Sequence, residues 1–344
     1  MAYTTIDNPA EYFNTVTYTG TGASNAVTGV GFKPDWVWIK RRDTTASHAL
    51  FDINRGVNKQ LRTNNTNAEE VVSWFPSFDI DGFTVSTTEA DGNASGGTYV
   101  AWNWLGSNTT TANTSGTISS TVSVNQTAGF SIVSYTGTGS NATVGHGLGV
   151  APKMMIVKNR SAVAQWEVYH VSTGNTSATQ LSGTGAPDVS STYWNDTTPT
   201  STLFSIGTGT PTNGSGNSII TYCFAEIKGY SAMRQYTGNG SADGTFVYTG
   251  FKPAWLLIKE TSAGDGQWYL YDNKTAPFNL VNANLFPNLN NGTNSGNNQV
   301  DFYSNGFKMR SSNGDTNESG GTYIYAAFAE NPFVTSGGIP VTAR

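Results

Sequence analysis

Pro34-Asp35-Trp36-Val37-Trp38-Ile39-Lys40 decides how this chain is read, because it returns twice. Pro152-Lys153-Met154-Met155-Ile156-Val157-Lys158 and Pro253-Ala254-Trp255-Leu256-Leu257-Ile258-Lys259 are the later copies. Each is a proline, then a short apolar run that closes with lysine. A second landmark precedes each one: Tyr18-Thr19-Gly20-Thr21-Gly22, Tyr135-Thr136-Gly137-Thr138-Gly139 and Tyr236-Thr237-Gly238-Asn239-Gly240. The lysines lie 118 and 101 residues apart and the tyrosines 117 and 101. Two separate landmarks keep one spacing, so the chain is three diverged copies of a unit of roughly a hundred residues.

The apolar runs read as central strands. They are about five residues long, rich in β-branched and aromatic side chains, and flanked by Gly and Pro. Proline cannot donate inside a ladder but can open a strand. Other blocks recur with them. Leu50-Phe51-Asp52 matches Val168-Tyr169-His170 and Leu270-Tyr271-Asp272, and Phe78-Asp79-Ile80-Asp81-Gly82-Phe83 matches Phe302-Tyr303-Ser304-Asn305-Gly306-Phe307. Each copy ends on a strand: Tyr99 to Trp104, Ile219 to Phe224, Tyr323 to Phe328. Many short strands and almost no helical period predict an all-β protein of three tandem antiparallel β-sandwich units, jelly-roll-like or simpler. The expected units are residues 1–106, 125–227 and 228–334, each able to fold by itself. Residues 107–124, nearly all Ser, Thr, Asn and Gly, read as a flexible or extended linker. Only Ile227 to Arg234 joins the last two units, so those should touch. A single helical turn is expected near Asn67-Ala68-Glu69-Glu70. Residues 335–344 read as a loose tail that only a partner chain would hold.

Composition narrows the function. Of 344 residues, 39 are Gly, 16 Tyr, 17 Phe and 9 Trp, which suits strands joined by tight turns. Charged residues make up only 12%, so Thr, Ser and Asn fill the surface. Net charge is −5 and no basic block occurs, which argues against nucleic acid, whose binders need a positive footprint. The N-terminus from Met1 to Asp7 lacks the basic start and apolar run of a signal peptide. No run of 18 apolar residues predicts a membrane span. The one cysteine, Cys223, between Tyr222 and Phe224, reads as a buried strand thiol and excludes an internal disulfide.

Reactive constellations are not legible. His48, His146 and His170 show neither metal-ligand spacing nor a partner nucleophile. Asp79-Ile80-Asp81-Gly82 resembles the start of a calcium loop, but the third copy has Asn305-Gly306 there. Asp-Gly and Asn-Gly are interchangeable in two-residue hairpins and not as ligands. Asp91-Gly92-Asn93 and Asp315-Thr316-Asn317 read as turns in the same way. Glu69-Glu70 has no counterpart in the other copies, and Glu226 and Glu330 match each other, so no carboxylate pair marks a glycosidase. We therefore expect no catalytic, metal or cofactor site. Aromatic residues in the variable middle of each copy, Trp74-Phe75, Tyr193-Trp194 and Phe286, would either cap the cores or, if exposed, stack on a sugar or a partner.

The blocks Gly31-Phe32-Lys33-Pro34-Asp35-Trp36-Val37-Trp38-Ile39-Lys40, His48 to Asp52 with Arg55-Gly56, Phe78 to Phe83 and Thr98 to Trp104 resemble a repeat module of marine bacteriophage virion proteins. That module occurs in tail-fibre-like proteins of phages infecting cyanobacteria and other ocean bacteria. The resemblance spans essentially the whole chain and is strongest in the first copy. The later copies depart from it: Ala151-Pro152-Lys153-Met154 replaces the Lys-Pro-Asp-Trp form, and the Arg-Gly pair is missing. It implies a non-enzymatic structural or adhesive protein displayed on the virion as tail fibre, spike or capsid decoration. Its implied partners are other virion proteins, further copies of itself (a trimer by analogy) and a host-surface glycan. The alternatives are a carbohydrate-binding module protein with no virion role and a polysaccharide-degrading enzyme.

Overall fold

The computed structural model describes residues 2–296 and 298–341. The lysine-closing runs are strands, as their pattern predicts: Trp36–Arg41, Met154–Asn159 and Phe251–Glu260. Each lies between the last strand of its copy and the strand that follows it, in a four-strand order kept in every copy. The first sheet orders Phe13–Thr19, Thr98–Trp104, Trp36–Arg41 and Ala49–Asp52 side by side. The second copy repeats that order with Phe130–Thr136, Ser218–Phe224, Met154–Asn159 and Trp166–His170. The third does so with Ser231–Thr237, Thr322–Pro332, Phe251–Glu260 and Trp268–Asp272. Register is kept as well: Trp36 pairs with Trp104, Met154 with Phe224 and Trp255 with Phe328. A smaller antiparallel sheet faces each large one, built on Gly82–Val85, Leu203–Ile206 or Gly306–Met309. In each large sheet the lysine-closing strand and the next one stay together as an antiparallel pair.

Strand alternation then builds two kinds of core. Successive side chains point to opposite faces. Val37 and Ile39 enter the first sandwich, Met155 and Val157 the second, Leu256 and Ile258 the third. Their neighbours Trp36, Trp38, Met154, Ile156, Trp255 and Leu257 face the other way, into one core shared by all three units. There the Trp36 ring stacks on Tyr222 with centroids 4.2 Å apart, and Trp104 meets Trp255 edge-on at 5.7 Å. Phe224 and Phe328 close the group at 5.8 Å. Both faces of these strands are buried, which is why their sequences read as unbroken apolar runs. The units are therefore interdependent, and the first contacts both others rather than hanging from a linker.

The tyrosine–glycine landmark has a local cause. Gly22, Gly139 and Gly240 have φ of 72°, 73° and 67°, a region that favours glycine. Their amides donate to the carbonyls of Asn93, Asn213 and Asn317. The same asparagines, all buried, accept from the backbone of Thr21, Thr138 and Asn239 through their side chains. The Asp79–Gly82 and Tyr303–Gly306 pairs close two-residue hairpins, and the Asp81 carboxylate accepts from the amides of Gly29 and Gly31.

Three expectations are corrected. Residues 107–124 are no linker: Thr111–Asn113 and Ser120–Asn125 extend the second large sheet, with Ile118, Val122 and Ser123 buried. Glu69 sits in a loop rather than a helical turn, because its amide and carboxylate are both taken by Arg160. Helical turns form instead at Ser191–Trp194, Thr210–Asn213 and Gly314–Asn317. The tail is held within the chain. The Ser336 amide donates to Asp7 at 2.6 Å, and the Val341 amide donates to Phe333 at 3.1 Å. Thr342, Ala343 and Arg344 lie outside the described residues.

Candidate functional site

The aromatics singled out from the sequence are not a ligand surface. Trp74 and Phe75 are 2% and 0% exposed, Tyr193 and Trp194 8% and 1%, and Phe286 6%. Each fills a sandwich. Phe75 stacks on Phe51 at 4.1 Å, and Phe286 meets Tyr269 edge-on at 5.0 Å. The polar ends are satisfied: the Trp74 indole donates to Gln60 at 3.1 Å, the Trp194 indole to the Ser177 carbonyl at 2.9 Å, and Tyr193 to Asp188 at 2.6 Å. A large ring in a small sheet's loops is more stable capping its core than standing in water.

The buried ionisable groups lie instead at the joints between units, and they repeat. Lys40 donates to the carbonyl of Asn290 in the third unit, Lys158 to Thr66 in the first and Lys259 to Thr184 in the second. One strand further, the His48 ring nitrogen Nε2 meets the Phe286 carbonyl at 2.9 Å. The indoles of Trp166 and Trp268, at the same position in the other copies, donate to Arg62 and Gln180 carbonyls at 2.8 and 2.9 Å. At the strand ends Tyr222 donates to Asp52 at 2.7 Å and the Trp102 indole to Asp272 at 3.2 Å, while His170 Nε2 lies 3.2 Å from the Tyr325 carbonyl. First unit to third, third to second and second to first, the contacts close a ring. Burial pushes the three lysines down to about 8 and His170 down to about 4. Every one of these groups is engaged in the joint, so none is free to transfer a proton to a substrate.

The first joint carries an addition. Arg55, fully buried, pairs with Asp52 and reaches Glu69 at 3.3 Å, and Glu69 is held by Arg160 at 2.8 Å. Burial opposes these charges, yet the opposite charges outweigh it: Arg55 stays firmly protonated and Glu69 is lowered. This gives Arg55-Gly56 a structural role confined to the first copy. Cys223 is buried and burial pushes its thiol far up, which makes it unreactive. Among the described residues no group of three or more His, Cys, Asp or Glu side chains could hold a metal ion. No helix there is long and apolar enough to cross a membrane.

Beside each joint, past the ends of Ala49–Asp52, Trp166–His170 and Trp268–Asp272, the three copies differ. In the first, the position is sealed. Asn54 donates to the carbonyls of Thr121 and Ile132, and Ser123 donates to the buried Asp35 at 2.9 Å. In the second, Val171, Ser172, Glu226 and Arg234 line a shallow depression of about 600 Å3. In the third, Asn273, Lys274, Phe278, Phe302, Lys252 and Glu330 line a more enclosed cleft of about 370 Å3. Lys252 pairs with Glu330 there at 2.9 Å, and Phe278 is 82% exposed. The signal for Phe278 was present in the sequence. Leu50 to its strand partner Leu61 and Val168 to Thr179 are eleven residues each, but Leu270 to Leu285 is fifteen. The four-residue insertion accompanies a loop that leaves Phe278 and Leu280 exposed.

No curated protein and no solved structure matches the chain. One family model matches, and it runs unbroken over residues 8–332, so it takes all three copies as one unit. That agrees with the shared core, which none of the copies can complete alone. The chain belongs to the family described as "Domain of unknown function (DUF7483)".

Proposed function

We propose that this protein is a non-enzymatic structural and adhesive component of a bacteriophage particle, a tail fibre or spike or a capsid decoration. It acts through contacts with other virion proteins and with host-surface glycan. The observation that supports this reading is the closed ring of sandwiches: one chain supplies the threefold block that repeat modules elsewhere would reach by trimerising. Its buried charges serve the joints, and its surface offers neutral Thr, Asn and Ser groups for contact with neighbours. A rigid block of this kind presents loops and needs neither metal nor disulfide for cohesion. The resemblance in Gly31 to Lys40 and Thr98 to Trp104 supplies the virion context.

The test is addition of the purified chain to particles that lack it, with sedimentation and light scattering on the same sample. Saturable attachment supports the reading, and a free mass of three chains of 36.6 kDa would add the trimer that the resemblance implies. A chain that stays unattached and leaves infectivity unchanged overturns it in favour of a free carbohydrate-binding protein.

A further inference from the structure

We propose that the third cleft binds a short acidic saccharide, with Phe278 as its stacking platform and Lys274 as its cation. The argument begins with symmetry. Features that recur in all three copies serve the shared fold, and one found in a single copy either braces that copy, as Arg55 does in the first, or does something else. The insertion between Leu270 and Leu285 is such a feature. It does not wander, because both sides of Phe278 are pinned. Asp272 accepts from the amides of Lys274 and Thr275 at 2.9 and 2.6 Å. Asn279 holds Phe302 in both directions, donating to its carbonyl at 3.0 Å and accepting from its amide at 2.9 Å. Val281 and Val300 exchange backbone hydrogen bonds just beyond. A large apolar ring is therefore held in water by a fixed loop, the preorganised state that favours binding.

The lining selects the ligand. Lys252 and Glu330 neutralise each other, whereas Lys274 has no acidic partner among the described residues, so the cleft is cationic on a chain of net charge −5. The volume lies near the lower end of the range for small-ligand sites, enough for about two sugar rings. An apolar ring face to stack on and a cation for a carboxylate or sulfate describe an acidic sugar. An extended peptide is disfavoured, because Val281 already occupies the sheet edge where its backbone would pair. The second cleft keeps Glu226 at the position of Glu330 but has no aromatic side chain in its lining. This site deepens the adhesive reading and rests on it.

The experiment is calorimetric titration of the full chain with a guluronate tetrasaccharide, with cellotetraose as its neutral counterpart and with hexaglutamate. The expected result is binding of the uronate, at least tenfold weaker binding of cellotetraose and none of hexaglutamate. Phe278→Ala and Lys274→Ala should each weaken the uronate at least tenfold, and Lys228→Ala beside the second cleft should leave it unchanged. Both cleft residues are exposed, and matching circular dichroism would show each variant folded. Absence of uronate binding, equal affinity for hexaglutamate, or insensitivity to both cleft substitutions would overturn the site. Particle attachment separates the two readings. A chain that attaches but binds no saccharide removes this site alone, whereas one that binds the uronate but does not attach removes the virion role alone.

Discussion

The joints and the clefts of this molecule lie side by side and follow opposite rules. At the joints one geometry is made three times: a buried lysine on a neighbour's carbonyl, then a ring nitrogen on a neighbour's carbonyl, then a hydrogen bond at the strand end. In the clefts nothing is kept. One is sealed by the hairpin of residues 107–124, one is open and plain, and one is rebuilt around an inserted loop. Residues that must close a ring are constrained by two neighbouring units at once, and residues beside it are not. In a protein of repeats, symmetry marks what every copy needs to hold the fold, and its breakdown marks either a local brace, as at Arg55, or a place open to another role.

The largest effect should come from the shared core. Trp104→Ala removes a fully buried ring that touches all three units, at a cost of about 3–5 kcal/mol. Urea unfolding followed by tryptophan fluorescence and by circular dichroism should still show one shared transition at a lower midpoint. Separate transitions, with only one displaced, would mean the units fold independently and the comparison is mistaken. Arg55→Ala should cost nearly as much, about 3–5 kcal/mol, because it leaves Asp52 and Glu69 short of their partner. The double variant Arg55→Met with Asp52→Asn should recover a good part of that loss in the same assay.

The joints should also weaken in acid. His170 is held at about 4, below its unfolded value near 6.5, so the unfolded chain binds the proton more readily between those limits. Its contribution is whole above pH 6.5 and is lost as pH falls toward 4, by about 3 kcal/mol. His48 is depressed by the same cause and adds in the same direction. In His170→Gln the fall in melting temperature between pH 7 and 4 should be visibly shallower; an unchanged slope would remove His170 from the account.

Smaller effects belong to the clefts. Ser123→Ala deletes one hydrogen bond to the buried Asp35 carboxylate and should cost about 1.5–3 kcal/mol in thermal unfolding, since two backbone amides still serve that group. Phe278→Ala should change stability by less than about 0.5 kcal/mol, because its ring is exposed. A loss of several kcal/mol there would make the inserted loop a structural element rather than a presented one.

Much of this was legible before any coordinates. The period, the lysine-closing strands, the Asp-Gly and Asn-Gly hairpins and the buried cysteine all follow from spacing and from local backbone chemistry. Residues 107–124 read as a linker because Ser and Thr dominate them, although Ile118, Val122 and Val124 carry the alternation of a strand. The middle aromatics were left open between core and ligand, and only their burial decides the matter. Phe278 is not legible from the repeat, because it occurs in one copy alone.

By itself the sequence determined that the chain is threefold, built of antiparallel strands, and that the apolar runs after each proline are central strands. Only the tertiary structure decided that a second face is covered, and by what. Trp36, Met154 and Trp255 are equally apolar whether they meet another chain, a fourth layer or one another. Hydrophobic burial is non-directional, so the pattern states that a face is covered and not by what. The partner was fixed by lysines, indoles and carboxylates at the joints, whose directional hydrogen bonds are satisfied together when the three copies close on themselves.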